Sequence, residues 1–434
     1  MLKERQTYLS RQADWRKLWI RIKYGCKNIF HSFGRIVGLV ALLATIQLAL
    51  YNCDAYNDFG GIVETITAGI WRIAIYALGA FSVLMYVVLN GTPWRANAIS
   101  DDLQRAGIVN NVDEPPILVA KTQDAENPNI IILDFHATGI AQNLWEDRQL
   151  AVESALNAYI IKVKEGRNRN HVLLHTVNSE GAFPEIAKWK DEYLSDKDGV
   201  LVLGMTVAGT HVTMDLSKTP HALIGGSSGS GKSVLLSLLL YQVLAKGDQL
   251  VLCDFKGGLD FNRPPWKGNC DIITTVDGVI KVLDELVEEL ERRKELFFET
   301  ECRNLAMYNA CMGRSLPRIV FACDEIAELT DPTGHISKEE KAEISHIISR
   351  LSTIARQGRA LGIHLILATQ RPDANVLPGQ IKNNIDFRAC GRADNTLAII
   401  ILDNADAADM LPKDGHRFML ADSTIFLPYY YSEE

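Results

Sequence analysis

Zinc ligation is the first thing this chain lacks. Its eight cysteines, at positions 26, 53, 253, 270, 302, 311, 323 and 390, form no Cys-x-x-Cys pair and have no histidines at ligand spacing. No zinc is expected, and the cysteines read as small, mostly buried hydrophobes of a reducing compartment. A positive balance is missing too: 45 Lys and Arg stand against 53 Asp and Glu, a net charge of −8. Nine of the cations fall in residues 1–35 beside only Glu4 and Asp14, so the remainder carries −15. This excludes a broadly basic body as the means of holding a polyanion. No internal repeat is visible, and no Lys or Arg occurs between Arg35 and Arg72. A cleaved signal peptide is not expected, because the first apolar run starts late and has no small-residue cleavage site.

What is present begins with two uncharged runs, residues 36–51 and 73–91. The first rises only about 24 Å against a hydrocarbon core of about 30 Å, so it spans only if its flanks, from Phe33 to Cys53, take part. Two transmembrane helices are expected at about 36–53 and 71–91, with Trp71 and Trp94 at interfacial positions. Asp54, Asp58 and Glu64 occupy the short connection. The positive-inside rule therefore puts the basic segment 1–35 and the long C-terminal part in the cytoplasm of a two-pass protein of the cell membrane. Within 1–35, Trp15, Leu18, Trp19 and Ile22 recur at helical spacing among cations, the pattern of a helix lying on an anionic leaflet. Residues 92–116 read as a linker and 117–196 as a small α/β domain, with strands near 117–120, 130–135, 159–163 and 172–177 and one helix near 143–157. Residues 197–434 alternate apolar strands with helices, the signature of a parallel sheet covered on both faces.

That last region carries the chemistry. Gly226-Ser227-Ser228-Gly229-Ser230-Gly231-Lys232-Ser233 is a Gly-x-x-x-x-Gly-Lys-Ser phosphate loop between the apolar run 222–224 and a buried helix opening at Val234. Glycine lets backbone N–H groups turn inward around phosphate oxygens, and the helix start presents its positive end. Lys232 supplies charge for the β- and γ-phosphates of ATP, and Ser233 a hydroxyl for Mg²⁺. Residues 319–323 form an apolar strand ending in Asp324 and Glu325. There the first acid would hold Mg²⁺ through water and the second would take the proton of the attacking water. A strand at 363–368 ends in Thr369-Gln370-Arg371-Pro372, where Gln370 can sense a γ-phosphate. Ser337 and Glu340 form a capping box that opens a helix ending before Gly362. Arg292 and Arg293 read as a solvated stretch.

Taken together, residues 221–234, Asp254-Phe255-Lys256-Gly257-Gly258-Leu259-Asp260, Cys323-Asp324-Glu325 and residues 362–372 resemble the FtsK/SpoIIIE family of DNA translocases over about 200–425. The resemblance implies a RecA-like phosphate-loop NTPase motor, working as a homo-hexameric ring that threads double- or single-stranded DNA. It implies a trans-acting arginine at Arg388 or, second, Arg392, and places Arg392 and Lys413 in channel-facing loops that contact DNA. With two spans and no winged-helix domain expected after the last strand, the chain is most similar to the coupling proteins of Gram-positive conjugative elements. Those bring a relaxase and its DNA to the proteins of a type IV secretion channel. Three alternatives stand beside this: a chromosome-segregating translocase, a type VII-like protein-secretion ATPase, and a non-motor docking receptor. An ABC-type ATPase is disfavoured, since Leu377-Pro378-Gly379-Gln380 is not Ser-Gly-Gly-Gln.

Overall fold

The computed structural model describes residues 2–57, 62–180, 183–255, 261–313, 316–331, 337–371, 379–413 and 415–432, with backbone alone for 2–14, 55–57 and 62–64. Asp58, Lys256 to Asp260, Pro372, Leu377 and Pro378 lie outside the described residues, as does the side chain of Glu64. The chain forms two units, Met1–Ala182 and Phe183–Glu434.

The first unit opens with three long helices, Leu2–Phe30, Phe33–Asn57 and Ile62–Leu89. Within the last two, Phe33–Asp54 and Thr65–Leu89 are long and apolar enough to cross a membrane, and almost none of their residues are buried. The second apolar stretch starts before residue 71 and stops at Leu89. Trp71 therefore lies inside it rather than at its end. It stops there because Asn90 turns its side chain back onto the Tyr86 carbonyl, 2.9 Å, and accepts the Asn28 amide on its own carbonyl, 3.0 Å. At this end the first helix packs tightly. A Cβ on Gly25 would fall 2.0 Å from the Val87 carbonyl oxygen, and one on Gly91 2.0 Å from that of Arg21.

Strands β1 (Ile117–Gln123), β2 (Ile131–His136), β3 (Ala158–Glu165) and β4 (His171–Asn178) form an antiparallel sheet in the order β1-β2-β4-β3. Residues 92–116 are not a linker, because they contain the helix Ala96–Arg105. Its Ala96 and Leu103, with Ile108 just beyond, are buried with Leu118, Phe135, Trp145 and Leu174 in one core. Ser100 ties the segment down by donating to the Pro116 carbonyl at 2.7 Å. The single helix expected near 143–157 is broken at Arg148 into Gln142–Asp147 and Gln149–Leu156.

The second unit starts fourteen residues before 197, at Phe183, because β5 (Ala187–Lys188) pairs with β15 (Ile425–Tyr430). Its remaining strands are β6 (Val200–Thr206), β7 (His211–Asp215), β8 (Ala222–Gly225), β9 (Gln249–Cys253), β10 (Asp271–Ile273), β11 (Ile319–Cys323), β12 (Ile363–Thr369), β13 (Phe387–Cys390) and β14 (Phe418–Leu420). They run in the order β10-β9-β11-β12-β8-β13-β14-β15-β6-β7. From β10 to β13 every pairing is parallel, and from β14 onward antiparallel. The expected parallel sheet is thus extended by a second, antiparallel half.

Alternation along the buried strands feeds two cores. Leu223, Phe321 and Leu365 face the helices Val276–Glu299 and Lys338–Leu361, while Ile224, Ala322 and Ile366 face the helix Lys232–Ala245. The capping box is formed: Glu340 N–H donates to Ser337 Oγ at 3.1 Å and Ser337 N–H to Glu340 Oε2 at 2.6 Å. Two buried, neutral histidines extend the pairing with β12 past the start of β8. His221 Nδ1 accepts the Leu365 N–H at 3.0 Å, His364 Nδ1 meets the Pro220 carbonyl at 3.0 Å, and burial holds His221 down to a pKa of about 4.

Arg293 departs from the solvated reading. It lies within the helix Val276–Glu299 and is 1% exposed. It pairs with Glu289 at 2.7 Å and donates to the carbonyls of Leu361 at 2.8 Å and Pro317 at 3.0 Å. It thus joins the end of the helix Lys338–Leu361 and the segment before β11 to one helix. Only Arg292 is exposed. Removing Arg293 would strand the two buried carbonyls, while Glu289 would keep Arg292 on both of its oxygens. Arg293→Ala is therefore expected to destabilise this unit by about 2–4 kcal/mol, against about 0.5 kcal/mol or less for Arg292→Ala. Thermal unfolding of the purified full-length protein reads the difference, and equal shifts would exclude it.

Candidate nucleotide site

The parallel register brings the ends of four strands to one edge. Cys323 aligns with Leu367, and Gly225 aligns with both Thr369 and Cys390. Open α/β sheets carry their sites at this carboxyl edge. The phosphate loop leaves β8 here and turns through left-handed Gly229 (φ 74°) and Gly231 (φ 93°), a region that favours glycine. Ser230 N–H donates to the Ser227 carbonyl at 3.0 Å and closes the turn. Gly231 then caps the helix Lys232–Ala245 with no side-chain bond, so the first amides of that helix have no internal acceptor.

This cradle fits a nucleotide's phosphates. A Cβ on Gly226 would lie 2.4 Å from Ser230 Oγ, so the loop has no room for a side chain there. Ser230 Oγ is itself buried and has no hydrogen-bond partner among the described residues. Ser233 is exposed at the helix start, where its hydroxyl would serve a Mg²⁺ ion.

Lys232 and Asp324 are brought together. Lys232 Nζ donates to Asp324 Oδ1 at 2.9 Å and to the Asp324 carbonyl at 2.6 Å, and both side chains are under 5% exposed. Glu325, half-buried beside them, is held at both oxygens: Oε1 accepts from Thr369 Oγ1 at 2.7 Å and Oε2 from the Gln370 N–H at 3.0 Å. Gln370 is thus fixed next to Glu325 through its backbone, at the end of the strand lying between β8 and β11. Thr369 had no assigned role in the sequence; its place in Thr369-Gln370 at a strand terminus was the available signal.

Arg388 is not brought to the phosphate loop. Its guanidinium donates to the Ile385 carbonyl at 2.8 Å, to the Lys382 carbonyl at 3.1 Å, and to Asp403. Asp403 also takes Lys382 at 2.6 Å, and these two cations, Lys382 first, hold its carboxyl below the ordinary range. Arg392, expected as a DNA contact or second as the trans-acting arginine, is brought to the phosphate loop. It lies against the phosphate loop, donating to the Ser228 carbonyl at 2.8 Å and the Lys413 carbonyl at 2.9 Å. Two carbonyls thus engage the Arg392 guanidinium, whereas the side chain of Lys413 is exposed. His416, unassigned in the sequence, lies beside the loop: a Cβ on Gly231 would come 3.2 Å from its Cβ.

Comparison with known proteins agrees with this geometry. The model of the FtsK/SpoIIIE family matches residues 185–374. DNA translocase SftA of Bacillus subtilis is 34% identical over 229 residues, 50% of this chain and 23% of that protein. DNA translocase FtsK of Oceanobacillus iheyensis is 31% identical over 280 residues, 59% of this chain and 34% of that protein. The chain thus spans about a quarter to a third of the length of these curated relatives. Among solved structures, the pCW3 conjugation coupling protein TcpA, as a monomer with ATPγS, is 34% identical with a TM-score of 0.58, over 79% of this chain and 96% of that one.

Substituting Gly231 tests the cradle. Gly231→Ala forces a side chain into a left-handed position, at a cost of about 1–3 kcal/mol, and against His416. ATPγS affinity, measured by calorimetry on the full-length protein, should fall about tenfold or more. Unchanged affinity would mean that the loop does not hold the phosphates.

Proposed function

We propose a role for this chain, which belongs to the FtsK/SpoIIIE family and carries its ATPase domain: a membrane-anchored, ATP-driven DNA translocase serving as the coupling protein of a conjugative element. One observation carries the reading. The phosphate loop, Asp324 with Glu325, and Thr369 with Gln370 meet at one sheet edge, in a chain matched over 79% of its length by a conjugation coupling protein. The relatives named as DNA translocases are matched over about a quarter to a third of their length, which supports the motor alone.

The chain's own residues then divide the work. Lys232 exchanges the oxygens of Asp324 for those of the β- and γ-phosphates, so its charge is partnered throughout. Mg²⁺ held by Ser233 and, through water, by Asp324 would add positive charge to the same phosphates. Glu325, fixed by Thr369 and the Gln370 amide with both oxygens oriented, takes the proton of the attacking water. The Gln370 side chain, anchored beside it, reports whether a γ-phosphate is present. In a homo-hexamer, Arg388 is the residue assigned to a neighbouring subunit's nucleotide, and Asp403 is the partner it would leave to get there. Lys413 is the exposed cation assigned to DNA.

The two apolar helices support a two-pass anchor. They are unburied though apolar, and the cations of residues 1–35 precede the first of them, which supports an orientation with both termini in the cytoplasm. A relaxase bearing DNA, and the channel proteins of type IV secretion, are the partners this role requires.

Lys232→Ala and Glu325→Gln test the chemistry. In the purified full-length protein each should lower DNA-stimulated ATP turnover by about a hundredfold or more, with ATPγS binding kept in Glu325→Gln. In a donor strain each should abolish transfer of the element. Wild-type turnover in both variants would remove the mechanism; lost turnover with normal transfer would remove the conjugative role alone.

A further inference from the structure

We propose that Arg392 is a positioning residue of the nucleotide site that also ties the phosphate loop to the segment running from Lys413 to β14. It is bonded to two pieces of chain at once, the phosphate loop and Lys413. Just after β13, Gly391 N–H donates to the Gly225 carbonyl at 2.8 Å, and the Arg392 carbonyl accepts the Ser227 N–H at 2.8 Å. The Arg392 guanidinium then reaches the Ser228 carbonyl at 2.8 Å with one nitrogen and the Lys413 carbonyl at 2.9 Å with another. Close packing leaves little slack. A Cβ on Gly391 would stand 3.1 Å from the Ser230 Cβ and from the Phe418 ring.

The geometry of the peptide group explains what this bond does. In a planar trans peptide the carbonyl and the next N–H point in opposite directions. By holding the Ser228 carbonyl, Arg392 turns the N–H of Gly229 away from itself, to the other side of the loop, where a donor can serve a phosphate oxygen. A rigid guanidinium fork fixes the separation of its two acceptors, which a lysine's single ammonium does not. Rotation of the 228–229 peptide when phosphate fills the loop is therefore transmitted to the Lys413 carbonyl. His416, packed on Gly231, gives the same segment a second grip on the loop. The segment carries the exposed cation Lys413 and leads into β14 through Phe418.

Hydrogen exchange on the full-length protein, with and without Mg–ATPγS, tests the link, whose DNA arm alone rests on the function proposed above. In the wild type, nucleotide should slow exchange in residues 226–234 and also in 415–420. In Arg392→Met, protection of 415–420 by nucleotide should be lost while some remains at 226–234, with ATPγS bound about tenfold more weakly. Arg392→Lys keeps the charge and should lose the 415–420 response as well. Unaltered exchange in the helix Val276–Glu299 identifies a folded variant. Wild-type protection of 415–420 in both variants, or none in the wild type, overturns the proposal. Duplex DNA supplies the second arm: it should stimulate ATP turnover in the wild type and lose that effect in Arg392→Lys. A wild type indifferent to DNA would sink the translocase reading while leaving the exchange result to decide the link.

Discussion

The buried pair of Lys232 and Asp324 is the constraint on which the motor edge depends. Two charges under 5% exposed are tolerable only when each satisfies the other, because an uncompensated charge at such depth is strongly destabilising. The pair bridges β8 and β11 across β12, so it can form only if all three strands keep their register. That register in turn sets Thr369 and Gln370 against Glu325. One ion pair thus fixes the spacing of the phosphate loop, the acids and the strand between them. A nucleotide can enter this arrangement by substitution, since its phosphates can take over the role of the Asp324 carboxylate toward Lys232 and keep that cation partnered.

The extent to which all this was legible in the sequence follows the range of the interactions. The phosphate loop, Asp324 with Glu325, the capping box and most strands of the motor are local patterns: glycine at fixed offsets, acids at the end of an apolar run, Ser and Glu three apart. The structure forms the elements that these patterns specify. What sequence reasoning missed is held by partners far along the chain. Arg293 looks like any surface arginine until Pro317 and Leu361 are brought to it. Arg392 looks like a free cation until Ser228 folds back against it. The start of the motor at Phe183 depends on a two-residue strand that pairs with the last one. The helix Ala96–Arg105 hides in a polar stretch because only a few of its residues enter the core.

The N-terminal unit, whose two long apolar helices could cross a membrane, shows the same logic. Its two long apolar helices expose side chains that would be buried in a globular core, which makes sense where lipid replaces protein as the apolar phase. The preceding helix is fastened to the end of the second by glycine contacts, at Gly25 and Gly91, that bring backbones together. It is fastened to the small domain by polar ones. Tyr24 hydroxyl meets His171 Nε2 at 2.7 Å, and His171 Nδ1 meets Asp134 at 2.6 Å. A hydrogen-bonded chain of three side chains is directional where apolar packing is not, so the helix is fixed in rotation as well as in place.

A polyanion could meet this acidic chain only where its cations are placed, since they are not plentiful. In the motor the arginines are largely committed to internal work: Arg293 to two carbonyls, Arg388 to Asp403, Arg392 to the phosphate loop, Arg371 to Glu328 and Asp331. Planar, always-charged guanidinium groups suit such bridging between segments, whereas a lysine ammonium suits a mobile contact with a phosphate. Lys232 and Lys413 hold the two positions at which a phosphate is expected, one in the buried loop and one on the exposed segment, and the Arg392 guanidinium joins the two stretches of backbone. A division of labour of this kind lets the net charge stay negative, which limits indiscriminate binding to nucleic acid.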